Sequence, residues 1–324
     1  MDALSDVLRQ VRLSGAIFFD IRAAHPWVAE TPAGSQVVGS MFPGSEHLIS
    51  YHVIVHGDCW AVVSGEPPLH LTSGDIVVLP HGDTHVLATS PELRRTPDMT
   101  LYRLPEEGRL PVHIAMGESD EKPQQIVCGF LGCDLRPYNP LLSALPRVIR
   151  VRDDPGGSLA SYIRFALAES KEPRIGGQCV LNHLSELMFV DVVRRYLETL
   201  PPDHTNWLAG LRDPMVGRAL AALHRDPARG WTIESLARLV GMSRSALAER
   251  FSQFVGQPPM QYLTHWRMQI AANQLRAGAE GIAVIANRVG YDSEAAFSRA
   301  FRKLVGAPPG EWRRRHGTAR SADR

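Results

Sequence analysis

The stretch from Trp231 to Phe251, WTIESLARLVGMSRSALAERF, leaves the backbone few choices. Thr232 can cap a helix on which Ile233, Leu236, Ala237 and Val240 recur at helical spacing. Gly241 breaks that run, and Ser243 can cap a second helix with Ala246, Leu247, Phe251 and Phe254 along one stripe. Two short amphipathic helices around a glycine turn read as a helix-turn-helix, whose second helix fits the DNA major groove. The pattern returns in IAVIANRVGYDSEAAFSRAF, Ile282 to Phe301. Matching Gly241 to Gly290 and, with one residue more in the second turn, Ser243 to Ser293 also brings Leu247 to Phe297 and Phe251 to Phe301. An internal repeat weighs more than a single motif, because chance must produce it twice. Between the copies, Pro258-Pro259 opens a helix carrying Tyr262, Leu263, Trp266, Arg267, Ile270, Ala271 and Leu275.

These residues resemble the AraC/XylS family of bacterial transcription regulators. Ala237, Gly241, Ser243, Leu247, Phe251, Gly256, Pro258, Tyr262, Arg267 and Ala271 carry the likeness in the first half. Ala286, Gly290, Tyr291, Phe297, Ser298, Phe301, Gly306, Pro308 and Pro309 continue it, so that it covers residues 212 to 313. The resemblance implies two helix-turn-helix units joined by one long helix and reading successive major grooves on one face of the DNA. By the same match, the first recognition helix presents Arg244, Ser245, Ala248 and Glu249, and the second Glu294, Ala295, Ser298 and Arg299.

Chemistry ranks those positions. Arg299 is the strongest base reader, since a guanidinium pairs bidentately with guanine, and Glu249 can accept from cytosine N4. Ala248 and Ala295 offer only apolar contact to a thymine methyl. Arg244, at a helix start, suits a phosphate, as do Arg250 and Arg302. Arg313-Arg314-Arg315 reads as a nonspecific basic tail, and Trp231, Trp266 and Trp312 as core.

A net charge of +1 conceals an asymmetry. Residues 207–324 hold 18 Lys+Arg against 9 Asp+Glu, whereas residues 1–206 hold 17 against 25. The C-terminal third is therefore basic, as a phosphate-binding module must be, and the acidic remainder is not expected to touch DNA.

Residues 1 to about 135 read as mostly β. Tyr51–Val55, Cys59–Val63, Leu69–Leu71 and Ile76–Leu79 are strand-like, with turn residues between them. Gly74-DIVVL-Pro80-x-Gly82-xx-His85 is similar to the second cupin motif, and Gly57 stands for the glycine closing an otherwise eroded first motif. The metal-ligand histidine of that motif falls on His85, and the usual glutamate slot falls on Ser50. Strand alternation sends His52 to the same interior face as Ser50. With Cys128 from a later strand, and His81 in reserve, His52 and His85 form a candidate site for zinc or another divalent metal. The competing reading makes both histidines hydrogen-bonded interior residues of a barrel without metal. Cys128 and Cys133, set around glycine turns, offer either a redox pair or two buried small hydrophobes. His56 and His70 read as turn or surface residues.

From Leu141 the pattern becomes helical, with segments at Ser158–Ala168 and Cys179–Leu200. The apolar face of the second is wide enough either for a helix packed wholly within its own domain or for one shared with a second copy of the chain in a homodimer. The expected fold is α+β: a cupin-like β-barrel or sandwich in residues 1–140, a helical linker and dimerisation region in 141–205, an all-α double helix-turn-helix domain in 206–316, and a disordered tail in 317–324.

No run on the order of 18 apolar residues predicts a membrane span, and the N-terminal segment lacks the basic and apolar regions of a signal peptide. Four cysteines without regular spacing fit a reducing cytoplasm. The resemblances imply a transcription regulator rather than an enzyme, with promoter DNA and RNA polymerase as partners and a small-molecule, redox or metal signal at the barrel. The rival is a metal-dependent cupin enzyme carrying a DNA-binding appendage, which would need an open metal position and a base.

Overall fold

Alternation, caps and glycines partition the chain into two units whose boundaries do not follow the sequence in simple order. A computed structural model describes residues 2–103, 110–117, 124–152, 156–172, 174–278 and 280–317. One unit comprises Arg12–Asp134 and Leu145–Thr199; the other comprises Met1–Val11, Leu135–Ala144 and Leu200–Arg324. The expected boundaries at 140 and 205 assign the N-terminal segment to the barrel, whereas its contacts place it in the helical unit. Residues 318–324 of the expected tail lie outside the described residues.

Among the described residues, the first unit is built on ten strands: β1 (Ser14–Ala23), β2 (Val28–Thr31), β3 (His47–His56), β4 (Asp58–Val63), β5 (Leu69–Thr72), β6 (Asp75–Leu79), β7 (His85–Ala88), β8 (Val112–Met116), β9 (Gln124–Cys133) and β10 (Ile149–Arg152). Six form a sheet in the order β10-β6-β3-β9-β1-β8, and four form a second in the order β2-β7-β4-β5. Of the helices, α1 (Ala3–Gln10) and α3 (Pro140–Ala144) belong to the other unit, while α2 (Gly34–Met41), α4 (Ser158–Lys171) and α5 (Gly177–Thr199) cover this one. Strand β3 is buried on both faces: Tyr51 reaches outward to Ser185 of α5 at 2.8 Å, and His52 points the opposite way. Phe19, Leu48, Leu87 and Phe130 are among the side chains filling the interior.

Cys128 and Cys133 do not flank turns, as expected from their glycines. Both lie on the continuous strand β9, where five residues of extended chain span about 17 Å. The glycine between them is explained by packing, since the space a side chain at Gly129 would occupy is filled by the Tyr51 ring.

The second unit continues with α6 (Trp207–Arg212), α7 (Pro214–Arg225), α8 (Ile233–Val240), α9 (Arg244–Val255), α10 (Pro259–Ala277), α11 (Ile282–Arg288), α12 (Glu294–Val305) and α13 (Pro309–His316). Thr232 and Ser235 cap α8 reciprocally, satisfying amides that the first turn leaves open. Ser243 caps α9, and Ser293 caps α12 in the same way. Each turn carries the same backbone bond, from the Met242 amide to the Ala237 carbonyl at 3.0 Å and from the Tyr291 amide to the Ala286 carbonyl at 2.9 Å. The second turn is longer by a single residue: Met242 alone separates Gly241 from Ser243, but Tyr291 and Asp292 separate Gly290 from Ser293. Gly290 is required at its position, because its φ is +83° and a β-carbon would collide with the Ala228 carbonyl.

Helix α1 packs on α7 and α10. It is pinned by side-chain amides, with Gln269 donating to the Gln10 carbonyl at 3.0 Å and Asn273 donating to the same oxygen at 2.6 Å. Trp231, Trp266 and Trp312 are buried in this unit, as expected of core residues. Among the described residues, no helix is long and apolar enough to cross a membrane.

Candidate functional site

Helices α9 and α12, the expected recognition helices, are held by their apolar faces. Leu247 and Phe251 of α9, and Phe297 and Phe301 of α12, are fully buried, which turns the opposite face of each helix outward. On α12 that outward face carries Glu294, Ala295 and Arg299, all exposed, and Ser298, half-buried. Arg302 follows one turn after Ser298 and is also exposed. Neither Arg299 nor Arg302 makes a side-chain hydrogen bond or ion pair among the described residues, so both guanidiniums are available to a ligand.

On α9, Ser245 and Glu249 are exposed and Ala248 is half-buried. Arg244 is exposed but donates to Glu234 of α8 at 2.6 Å, so reaching a phosphate requires exchanging that partner. Arg250 lies on the flank of the helix and is tied to Asp213, which is 4% exposed. Asp213 also caps α7, accepting from the Met215 and Val216 amides at 3.0 and 2.9 Å. Arg250 therefore fastens α9 to α7. The basic run Arg313-Arg314-Arg315 is not a tail: it lies on α13, where Arg313 donates to the Glu280 carbonyl at 2.6 Å and Arg315 pairs with Glu311.

The barrel brings together part of the expected ligand set. His52 comes from the larger sheet, His85 from the smaller one, and their Nε2 atoms meet at 2.6 Å. Both rings are buried, at 1% and 2% exposure. Burial pushes both away from the charged form, His85 down to about 4 and His52 well below the ordinary histidine range, where the neighbouring His85 adds to the effect. Cys128 is the cross-strand neighbour of His52. Burial pushes its thiol and that of Cys133 well above the ordinary cysteine range. His81 does not join them, because its Nε2 is bound to the Leu145 carbonyl at 3.0 Å.

This donor set does not fit zinc. A tetrahedral ion with imidazole nitrogens at about 2.0–2.1 Å sets those nitrogens roughly 3.3 Å apart, with both lone pairs aimed at the metal. Here the two Nε2 atoms face each other, closer than that. Among the described residues, no group of three or more His, Cys, Asp or Glu side chains converges as an ion would need.

Beside His52 the barrel contains a cavity of about 200 Å³. Phe19, Ile21, Leu87, Ile114 and Phe130 supply much of an apolar wall, Thr31 and Tyr102 add polar edges, and Glu30, Arg95 and Asp98 add charged ones. No local pattern marks this cavity, since its wall comes from strands far apart in the chain. The only local hint was the inward register of His52. His56 and His70 lie at the surface, as expected.

Residues 2–198 match the Cupin family, and residues 236–315 match the Helix-turn-helix domain family. A putative AraC-like transcription regulator of Streptomyces lividans is 34% identical over 97% of this chain and 98% of its own. The HTH-type transcriptional regulator AlkR of Acinetobacter baylyi is 28% identical over 97% of this chain and 99% of its own. Among solved structures, the C-terminal domain of AraT, a response regulator from Geobacillus stearothermophilus, is 33% identical, with 34% of this chain and 93% of that one covered at a TM-score of 0.33.

Proposed function

This chain belongs to the AraC-like transcription regulators with an N-terminal cupin domain, and from that premise we propose that the barrel cavity is its effector site and that α12 supplies its principal base contact. The observation carrying the DNA side is the exposed, unengaged Arg299 in the middle of the outward face of α12. Arg302, Arg244 and Ser245 serve as phosphate contacts around it, and Arg250 serves the fold. Glu294, Ala295, Ser298, Ala248 and Glu249 complete the reading faces. The protein acts at promoters together with RNA polymerase.

A bound small molecule suits the barrel better than thiol oxidation. The thiolate is the reactive form of cysteine, and burial disfavours it at both Cys128 and Cys133. Strands β1 and β9 line the cavity through Phe19 and Phe130. In sequence they run on to α1 and α3, both of which belong to the DNA-binding unit. An effector that favours one arrangement of those strands therefore has two covalent routes by which to bias DNA binding.

Arg299→Ala tests the DNA reading. On sites selected from a random duplex library, at fixed salt, the variant should bind the preferred sequence about 1–3 kcal/mol more weakly and lose discrimination at one base pair. Equal weakening on every sequence would make Arg299 a phosphate contact instead.

We also propose a homodimer formed through α4 and α5. Phe165, Val180 and Leu187 are 68%, 46% and 48% exposed, an unusual cost for apolar side chains facing water. Sedimentation at micromolar concentration should give a dimer for the native chain and a monomer for Leu187→Glu; a monomeric native chain would end this part of the reading.

A further inference from the structure

The hydrogens of the histidine pair follow from its surroundings. His85 Nδ1 lies 2.8 Å from the Asp83 carbonyl oxygen. A carbonyl only accepts, so Nδ1 carries the hydrogen. A neutral imidazole has one N–H, which leaves His85 Nε2 with a lone pair. His52 Nε2, 2.6 Å away, must then be the donor. The relay runs from His52 through His85 to the backbone, and it ends in an unmet demand. His52 Nδ1 holds a lone pair, is buried, and has no hydrogen-bond partner among the described residues. A buried acceptor without a donor is costly enough that native structures seldom leave one without a purpose.

That histidine lines the cavity of about 200 Å³. An engineered apolar cavity of about 150 Å³ accepts benzene, so this one has room for a substituted ring. We propose that the barrel takes a ring-sized molecule with an apolar body and a hydroxyl or N–H group, and that this group donates its hydrogen to His52 Nδ1. The inference rests on the reading of the cavity as the effector site and adds the ligand's chemistry.

The test uses the full chain and two probes of nearly equal size, phenol with a donor and toluene without one, titrated calorimetrically. Phenol should bind the native chain about tenfold more tightly, the effect of meeting one buried acceptor. His52→Ala should bring the two probes to equal affinity while still binding toluene. Equal affinities in the native chain, or a preference that survives in His52→Ala, would overturn the donor requirement and leave the effector cavity standing. Binding of neither probe would overturn both. A second measurement needs no variant to fold: nitrogen-15 spectra of the imidazoles should show His52 protonated on Nε2 and His85 on Nδ1. The reverse assignment, or near-stoichiometric uptake of zinc alone that His85→Ala abolishes, would overturn the inference.

Discussion

Phe301→Ala will cost the helical unit about 3–5 kcal/mol, the usual range for truncating a buried aromatic ring. Phe301 is fully buried, and its ring lies 5.5 Å from that of Phe297 and 6.1 Å from that of Trp312. Removing it therefore strips α12 of its anchor to α13 as well as leaving a void. Since a domain is stable by only about 5–15 kcal/mol, the loss is a large share of the total. Hydrogen exchange should accelerate across α12 and α13, and DNA affinity should fall even though Phe301 faces away from the outward surface. A loss under about 1 kcal/mol would mean that the core recloses around the gap.

Asp75→Ala is the second large effect, at about 3 kcal/mol, because it removes the shared partner of two guanidiniums. Asp75 is wholly buried, with Arg150 at 2.7 Å and Arg152 at 3.0 Å, and it accepts from the Thr72 amide at 2.8 Å. Burial alone would raise its pKa, but the hydrogen bonds from Arg152, Arg150 and the Thr72 amide outweigh it and hold the carboxyl at about 2, below its ordinary 3.8. A folded-state pKa below the unfolded one means that the stabilisation is complete above pH about 4 and disappears as pH falls toward 2. The native barrel should lose stability through that interval, followed by circular dichroism, and the variant should show a flatter dependence from a lower starting point. An unchanged acid profile in Asp75→Ala would assign the acid sensitivity to other groups.

The helix-turn-helix repeat was legible because its determinants are local. Thr232, Ser243 and Ser293 cap within three residues, Gly241 and Gly290 mark the turns, and Leu247, Phe251, Phe297 and Phe301 recur at helical spacing. Short strands such as β4 and β6 were legible for the same reason. What escaped depends on partners distant in sequence. Arg250 is indistinguishable from a phosphate contact until the fold brings Asp213 to it. The cavity was hidden because β3 is covered on both faces, so that its alternation carries no polar side to mark the exterior. The glycines of β9 suggested turns, but Gly129 is a strand residue making room for Tyr51. His52 and His85 were correctly placed on one interior, yet their spacing in the chain could not reveal that each ring is the other's partner.

The composite DNA-binding unit also sets an order of assembly. Helix α1 is made before every other element of that unit, but its docking surfaces on α7 and α10 follow about two hundred residues later. At 5–20 residues per second it waits roughly 10–40 s for them during synthesis. Through that interval its apolar face, with Ala3 and Val7, lacks the cover of α7 and α10 and can meet only α3, and the barrel that follows it can close first. The earliest helix is thus completed by the latest part of the chain, and a gene fragment cut at the motif boundary would encode a reader missing one of its own walls.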